Sequence, residues 1–423
     1  MSKRHFCFFV LLIVHCQLSI VNCLIAAEPK PVKYKTLLAE AKAAVKSGKN
    51  QARAAQNLLG IVHREDIGRD QQAEIYYMAE ELERSQNEAE NRKNYLRQPY
   101  DTVKFFSTIL NMYGHILRCD SLEMMPNEKG ALKYKYRQHG RDILLAYRSN
   151  LLNGGKFLLK RNRYTDCYPY FDMYIESAKA PIFEYYSTIQ KDTLLARAAY
   201  WATVAAYNDN KPHKALLHID QAIEGADTAL RVSLQEYKVR CYEVLKDDSL
   251  WFANLVEGAR LYPHHDYFFL HLMDTYSERK QYAEGLSLCD SMLVRVGDRA
   301  IYHYGRSRML LGLQDYDACI KASDEALRLD SAMTDAHYNK GVAYLNKAVL
   351  FAETACNDIR NPKCKRDRET LQGLYRAALS PMEHVRQQLP NDSKRWASPL
   401  YRIYLNLNMG KEFAEMEKIL NAQ

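Results

Sequence analysis

A pattern of small and large residues returns every 34 positions through the second half of this chain. The clearest copy runs from Ala300 to Met333. Tyr304 to Gly312 reads as one helix, Leu313-Gln314-Asp315 as a turn, and Tyr316 to Leu329 as a second helix with Cys319, Ser323 and Ala326 at small packing positions. One period later Gly341 stands where Ser307 stood, and Tyr344 where Leu310 stood. One period earlier Phe269, Leu272 and Tyr276 line the first helix, while Tyr282, Gly285 and Met292 match Tyr316, Cys319 and Ala326. A further step back gives Tyr242, Trp251, Gly258 and Pro263. A helix pair of this length cannot bury both of its faces alone, so a shared register demands stacking of successive pairs. Small residues let neighbouring helices approach, large ones fill the space between units, and Pro263 stops a second helix.

This pattern looks like the tetratricopeptide repeat, which implies an all-α, right-handed superhelical solenoid of antiparallel helix pairs. In-register repeats are expected over 232–345 and degenerate helix pairs over 148–231, with a break at Phe183 to Asp192. An N-terminal helical region is expected over 28–147. There, Leu37 to Val45 and Ala52 to Val62 form a hairpin around Gly48, Ile75 to Leu96 is one long helix, and Asp101 caps another. Its charged stretch, Glu81 to Lys93, has i,i+4 pairs and reads as solvated on one face. Residues 346–423 read as an insertion plus a C-terminal helical cap. The insertion is a lengthened first helix and a projecting loop, with helix resuming over Leu371 to Leu389. Lys411, Glu412, Glu415 and Lys418 give the last helix the polar face that a terminal unit needs.

The chain also resembles tetratricopeptide-repeat proteins of Bacteroidetes bacteria. The similar segments are Tyr95 to Asp120, Tyr147 to Tyr164, and the end, YRAALSPMEHVRQQLPND followed by WASPLYRIYLNLNMGKEF. The resemblance implies an exported protein, periplasmic or outer-membrane-associated, and the repeat family implies scaffolding of protein contacts.

Export has its own signature. Lys3 and Arg4 precede the apolar run Phe6 to Val14, and Ala26-Ala27 precede a polar segment, so 1–27 reads as a signal peptide. Two alternatives stay open: a retained helix, and acylation at Cys23, where Asn22 occupies a place usually held by a small residue. Membrane contact is expected only with that lipid. Of the ten cysteines, Cys7, Cys16 and Cys23 lie in this segment. The remaining seven are too scattered for a disulfide scaffold or a zinc set, and Cys356 and Cys364 are left as a possible pair. The net charge of +8 is spread along the chain. Its one dense basic run, Lys363, Lys365, Arg366 and Arg368, is broken by acids, so no nucleic-acid partner is expected.

No reactive constellation emerges. His264-His265-Asp266 follows Pro263 in a turn. His213 and His218 lie five apart, without HExxH. Asn153-Gly154-Gly155-Lys156 lacks the phosphate-loop frame and reads as a site of close helix approach. The chain is therefore read as non-enzymatic, with no cofactor and no metal. What remains is binding of a protein or peptide along the first helices. The 34-residue frame predicts Tyr200, Val204, Tyr207, Arg240, Asp274, Tyr304, Arg308 and Tyr338 on a concave face. Tyr and Arg are favoured where interfaces concentrate their energy. A glycan or small ligand is the alternative occupant, and packing of the tyrosines between units the structural one.

Overall fold

A computed structural model describes residues 32–126, 129–356 and 361–422; the expected signal peptide, with Cys23 and Ala27, lies outside them. The regular elements among the described residues are all helices, and none is a strand. Two compact units divide the chain, Met1–Gly225 and Ala226–Gln423.

The first unit contains α1 (Tyr34–Ser47), α2 (Gln51–Leu59), α3 (Arg69–Tyr95), α4 (Thr102–Glu123), α5 (Arg137–Leu159), α6 (Tyr164–Ala178), the short α7 (Ser187–Gln190), α8 (Leu194–Asn208) and α9 (Pro212–Glu224). Successive long helices pack as antiparallel neighbours: α3 on α4, α5 on α6, α8 on α9. Asp101 caps α4 by accepting from the Lys104 amide at 2.9 Å, which satisfies one of the amides left free at a helix start. The long helix α3 is less solvated than its charge suggests. Glu80, Gln86, Asn87 and Glu90 on it are all buried. Asn87 donates to the Phe105 carbonyl at 2.7 Å, and Glu90 accepts from the Asp101 amide at 3.0 Å, so polar groups here tie α3 to α4. The Asn153–Lys156 string lies inside α5. A Cβ on Gly155 would come within 2.5 Å of the Phe171 ring, so the glycine is what allows α5 and α6 to touch.

One half-buried imidazole in this unit carries a pH prediction. His115, on α4 beside the Tyr76 ring, has its pKa lowered to about 4 by burial. The unfolded chain takes up this proton near pH 6.5. Stability is therefore full above that pH and is lost as pH falls toward 4. Urea midpoints at pH 7.5 and 4.5 should show the wild-type chain losing up to about 2 kcal/mol more than His115→Leu. Equal losses would show that this group does not govern the acid sensitivity.

The second unit contains α10 (Thr228–Leu245), α11 (Asp248–Leu261), α12 (Asp266–Glu278), α13 (Tyr282–Val296), α14 (Ala300–Gly312), α15 (Tyr316–Leu329), α16 (Thr334–Thr354), α17 (Pro362–Gln388), α18 (Ser393–Asn406) and α19 (Gly410–Asn421). The period is explicit in the helix starts: Asp266, Ala300 and Thr334 for first helices, Asp248, Tyr282 and Tyr316 for second helices. The turn within each pair repeats as well. Lys246, Lys280 and Gln314 each adopt a left-handed conformation, with φ of 57°, 56° and 61°. Asp247 and Asp315 then cap the following helix, accepting from Leu250 and Ala318 amides. These features make the unit a stack of antiparallel helix pairs.

The projecting loop expected before Leu371 is a correction. Helix α17 begins at Pro362, so Lys363, Lys365, Arg366 and Arg368 lie on its first turns. Pro at the first helical position and Asn361 as cap, accepting from the Lys363 amide at 2.9 Å, explain the early start. Cys356 and Cys364 form a disulfide across the intervening segment, with Cα atoms 4.8 Å apart. The last helix, α19, buries only Met416 in full.

Candidate binding face on the first helices

Within the second unit the first helices pack on one another as well as on their own partners: α12 on α14, α14 on α16, α16 on α18. No second helix packs comparably on the next second helix. The first helices of successive units thus share one face, while each second helix packs on the first helix that follows it.

Two connected groups of side chains occupy it. On α10, Glu236 accepts from His265, which precedes α12, and pairs with Arg240 at 3.5 Å. The Arg240 guanidinium lies over the Tyr267 ring at 5.4 Å, and Tyr267 lies 4.1 Å from His271, centroid to centroid. Tyr267, His271 and Asp274 share one face of α12 by their spacing of four and three. Asp274 then accepts from Arg308 of α14, one period later, at 2.5 Å. Burial alone would weaken the Arg308 charge, but the Asp274 carboxylate and the Tyr304 phenol hold its pKa above the ordinary value. Burial raises the Tyr304 pKa, opposed by Arg308 and reinforced by Asp335. On α16, Asp335 accepts from Arg395 of α18 at 2.7 Å, and that guanidinium lies over Tyr338 at 4.5 Å. Acid, base and aromatic ring thus alternate across five helices.

Of the residues predicted for this face, Arg240 and Asp274 are exposed, and Tyr304, Arg308 and Tyr338 are half-buried. The structure joins Asp274, Arg308 and Tyr304 directly, and reaches Tyr338 through Asp335 and Arg395. Tyr200, Val204 and Tyr207 are half-buried along one flank of α8 in the first unit. Beside them Trp201 carries the contacts, with the Lys156 ammonium 4.4 Å above its ring and Phe171 at 5.5 Å. Glu236, His265, Tyr267, Asp335 and Arg395 were missed. Glu236 was within reach, since it stands four residues before Arg240. Arg395 was not, because the inserted stretch places it 60 residues after Asp335, outside the period. Tyr302, two residues from Tyr304, serves packing instead: it is fully buried and its hydroxyl donates to the Pro263 carbonyl at 2.5 Å.

The chain folds as tetratricopeptide-like helix pairs. No family model matches its sequence, and no curated protein does. Among solved structures it is similar to the C-terminal part of a TPR repeat-containing protein from Cytophaga hutchinsonii, at 11% identity and a TM-score of 0.34. That match covers 62% of this chain and 97% of the other. It is similar to a TPR repeats protein from Bacteroides fragilis at 16% identity and a TM-score of 0.30, covering 64% and 98%. It is also similar to human IFIT1, solved as a dimer with m7Gppp-AAAA, at 13% identity and a TM-score of 0.34, covering 93% and 69%. The assignment of the fold rests on the helix-pair geometry described above.

No described helix is long and apolar enough to cross a membrane.

Proposed function

We propose that the protein is a non-enzymatic scaffold that holds a protein or peptide partner along the first helices of its second unit, in the bacterial cell envelope. The observation that carries this reading is the row Arg240, Tyr267, Asp274, Arg308, Asp335, Tyr338. Its charges alternate in sign and its rings lie beside guanidinium groups. An extended peptide offers backbone donors and acceptors at short regular intervals, which such a row can meet. Lone charged pairs on a surface contribute little to stability, so a repeated series is better explained by what it contacts. The Cys356–Cys364 disulfide supports an oxidising compartment, as export of the N-terminal segment would require.

The test is position-specific crosslinking in cells. A photo-reactive phenylalanine analogue replaces Tyr338 or Arg240, and, as a control, the exposed Lys321 on α15. The expected result is one discrete protein product from the first two positions and none from Lys321. Arg308→Glu should then reduce that product about tenfold or more, the effect of reversing charge at an interface centre. Equal labelling from all three positions would refute the reading. So would recovery of a bound sugar in place of a protein.

A further inference from the structure

The first unit holds a different cluster. Glu80 and Glu81 on α3 face His139, two residues into α5, and the three donor atoms lie within 4.8 Å of one another. His139 Nε2 is 3.3 Å from Glu81 Oε1 and 3.9 Å from Glu80 Oε2. The Glu80 side chain is 1% exposed, and neither of its oxygens has a hydrogen-bond partner. Its Oε1 pairs with Arg84 Nε at 3.2 Å. Oε2 is left facing the imidazole. A buried carboxylate oxygen without a partner is costly, and native structures rarely leave one so.

Charge points the same way. Arg84 serves Glu80, Glu81 and Glu88 together. Three carboxylates thus share one guanidinium. A cavity of about 10 Å³ lies beside the cluster, lined by Glu80 and His139, with Asp120 and Arg137 also on its wall and Glu81 outside it. Ligand atoms around tetrahedral zinc lie about 3.3 to 3.5 Å apart, given bonds near 2.0 to 2.1 Å. The two His139 distances, 3.3 and 3.9 Å, are close to that range, and the His139 side chain is 44% exposed and free to adjust; the widest separation in the cluster, up to 4.8 Å, requires the two carboxylates to draw together. Tyr77 supports the pose. Its hydroxyl donates to Glu81 Oε1 at 3.3 Å, and its ring meets His139 at 5.5 Å.

We propose that Glu80, Glu81 and His139 bind a divalent transition-metal ion of the zinc class, with the open position held by solvent. Two carboxylates and one imidazole suit zinc and its borderline neighbours better than the all-oxygen preference of calcium or magnesium. The ion clamps α3 to the start of α5. Nothing in the sequence joins positions 80 and 139, which are far apart and outside any repeat.

The experiment uses the full chain, stripped with a chelator and titrated with Zn²⁺ by calorimetry, with Co²⁺ absorption as a second readout. One ion per chain is expected, with visible Co²⁺ bands of a four- or five-coordinate site. Glu80→Gln keeps shape, and His139→Ala alters a half-exposed position. Each should weaken zinc binding by at least about a hundredfold, since loss of an outer partner alone costs ten- to a hundredfold. Glu88→Gln, which also pairs with Arg84 but lies outside the three, should bind as the wild type does. The proposal falls if the wild-type chain takes up no zinc. It also falls if binding is unchanged in both Glu80→Gln and His139→Ala with circular dichroism intact, which would make the ion adventitious.

Discussion

Truncating Phe269 to Ala is expected to destabilise the chain by about 4 kcal/mol, in the upper part of the range for a buried aromatic ring. Phe269 is fully buried on α12 and meets Tyr302 of α14 edge to face at 5.0 Å. It also lies on Gly305, where an added Cβ would stand 2.6 Å from the ring, and that Cβ would also meet Cys289 of α13 at 3.1 Å. The ring therefore fills the junction of three helices. The cost depends on how far the surroundings can collapse, and here they are held. Tyr302 cannot swing into the void because its hydroxyl donates to the Pro263 carbonyl, which also accepts from Arg299 at 3.1 Å. Gly305 offers no side chain to move.

That geometry predicts compensation. Gly305→Val alone should be destabilising, because its methyl groups would overlap Phe269. In the Phe269→Ala background the same change occupies the vacated volume and should restore 1 kcal/mol or more, roughly. Chemical denaturation of the four chains measures the cycle, and hydrogen exchange in α12 and α14 localises it. A loss below about 1.5 kcal/mol for Phe269→Ala, or strict additivity in the cycle, would show that the junction is loosely packed.

The same junction shows why the repeat was legible. Phe269, Gly285 and Gly305 satisfy one steric condition that recurs in each unit, so residue size itself carries the period. The turn residues add to it, although Lys246, Lys280 and Gln314 look unremarkable as residue types; only their spacing marks them. What escaped was anything fixed by contact between distant positions. The start of α17 could have been read from Asn361-Pro362, but the charges after it suggested a loop. Gln86 and Glu90 fall within the charged stretch of α3 read as solvated on one face, yet both are buried, because charge is a poor guide to burial when a partner such as the Asp101 amide cannot be foreseen. Of the candidate face, Asp274 and Arg308 stand one period apart and were visible together. Arg395 was hidden by the insertion. Glu80 and His139 belong to a unit where no period holds, so no spacing brings them together.

Removing the Arg148 side chain should cost the first unit roughly 3 kcal/mol, for a reason opposite to the Phe269 case. Arg148 on α5 is 6% exposed. Its guanidinium donates to Asp192 at 3.3 Å and to Ser177 of α6 at 3.2 Å, and lies 3.8 Å above the Tyr174 ring. Asp192 in turn accepts from the Tyr174 hydroxyl at 2.5 Å and from the Leu194 amide at 2.9 Å, at the start of α8. One charge pair thus links α5, α6 and α8 at the place where the sequence loses its register. Replacing Arg148 with Met preserves most of the volume, so the expected loss comes from the carboxylate left without its cation in a largely buried setting. If so, the cost must depend on that carboxylate. In the Asp192→Asn background, Arg148→Met should cost less than half as much, because no negative charge remains to be stranded. Asp192→Asn alone should also be costly, since it strands the guanidinium. The double variant should be more stable than the sum of the two losses implies, by about 1 to 3 kcal/mol. Urea denaturation of the four chains decides it. Equal costs for Arg148→Met in both backgrounds would mean that the arginine acts through its stacking on Tyr174 and not through its charge.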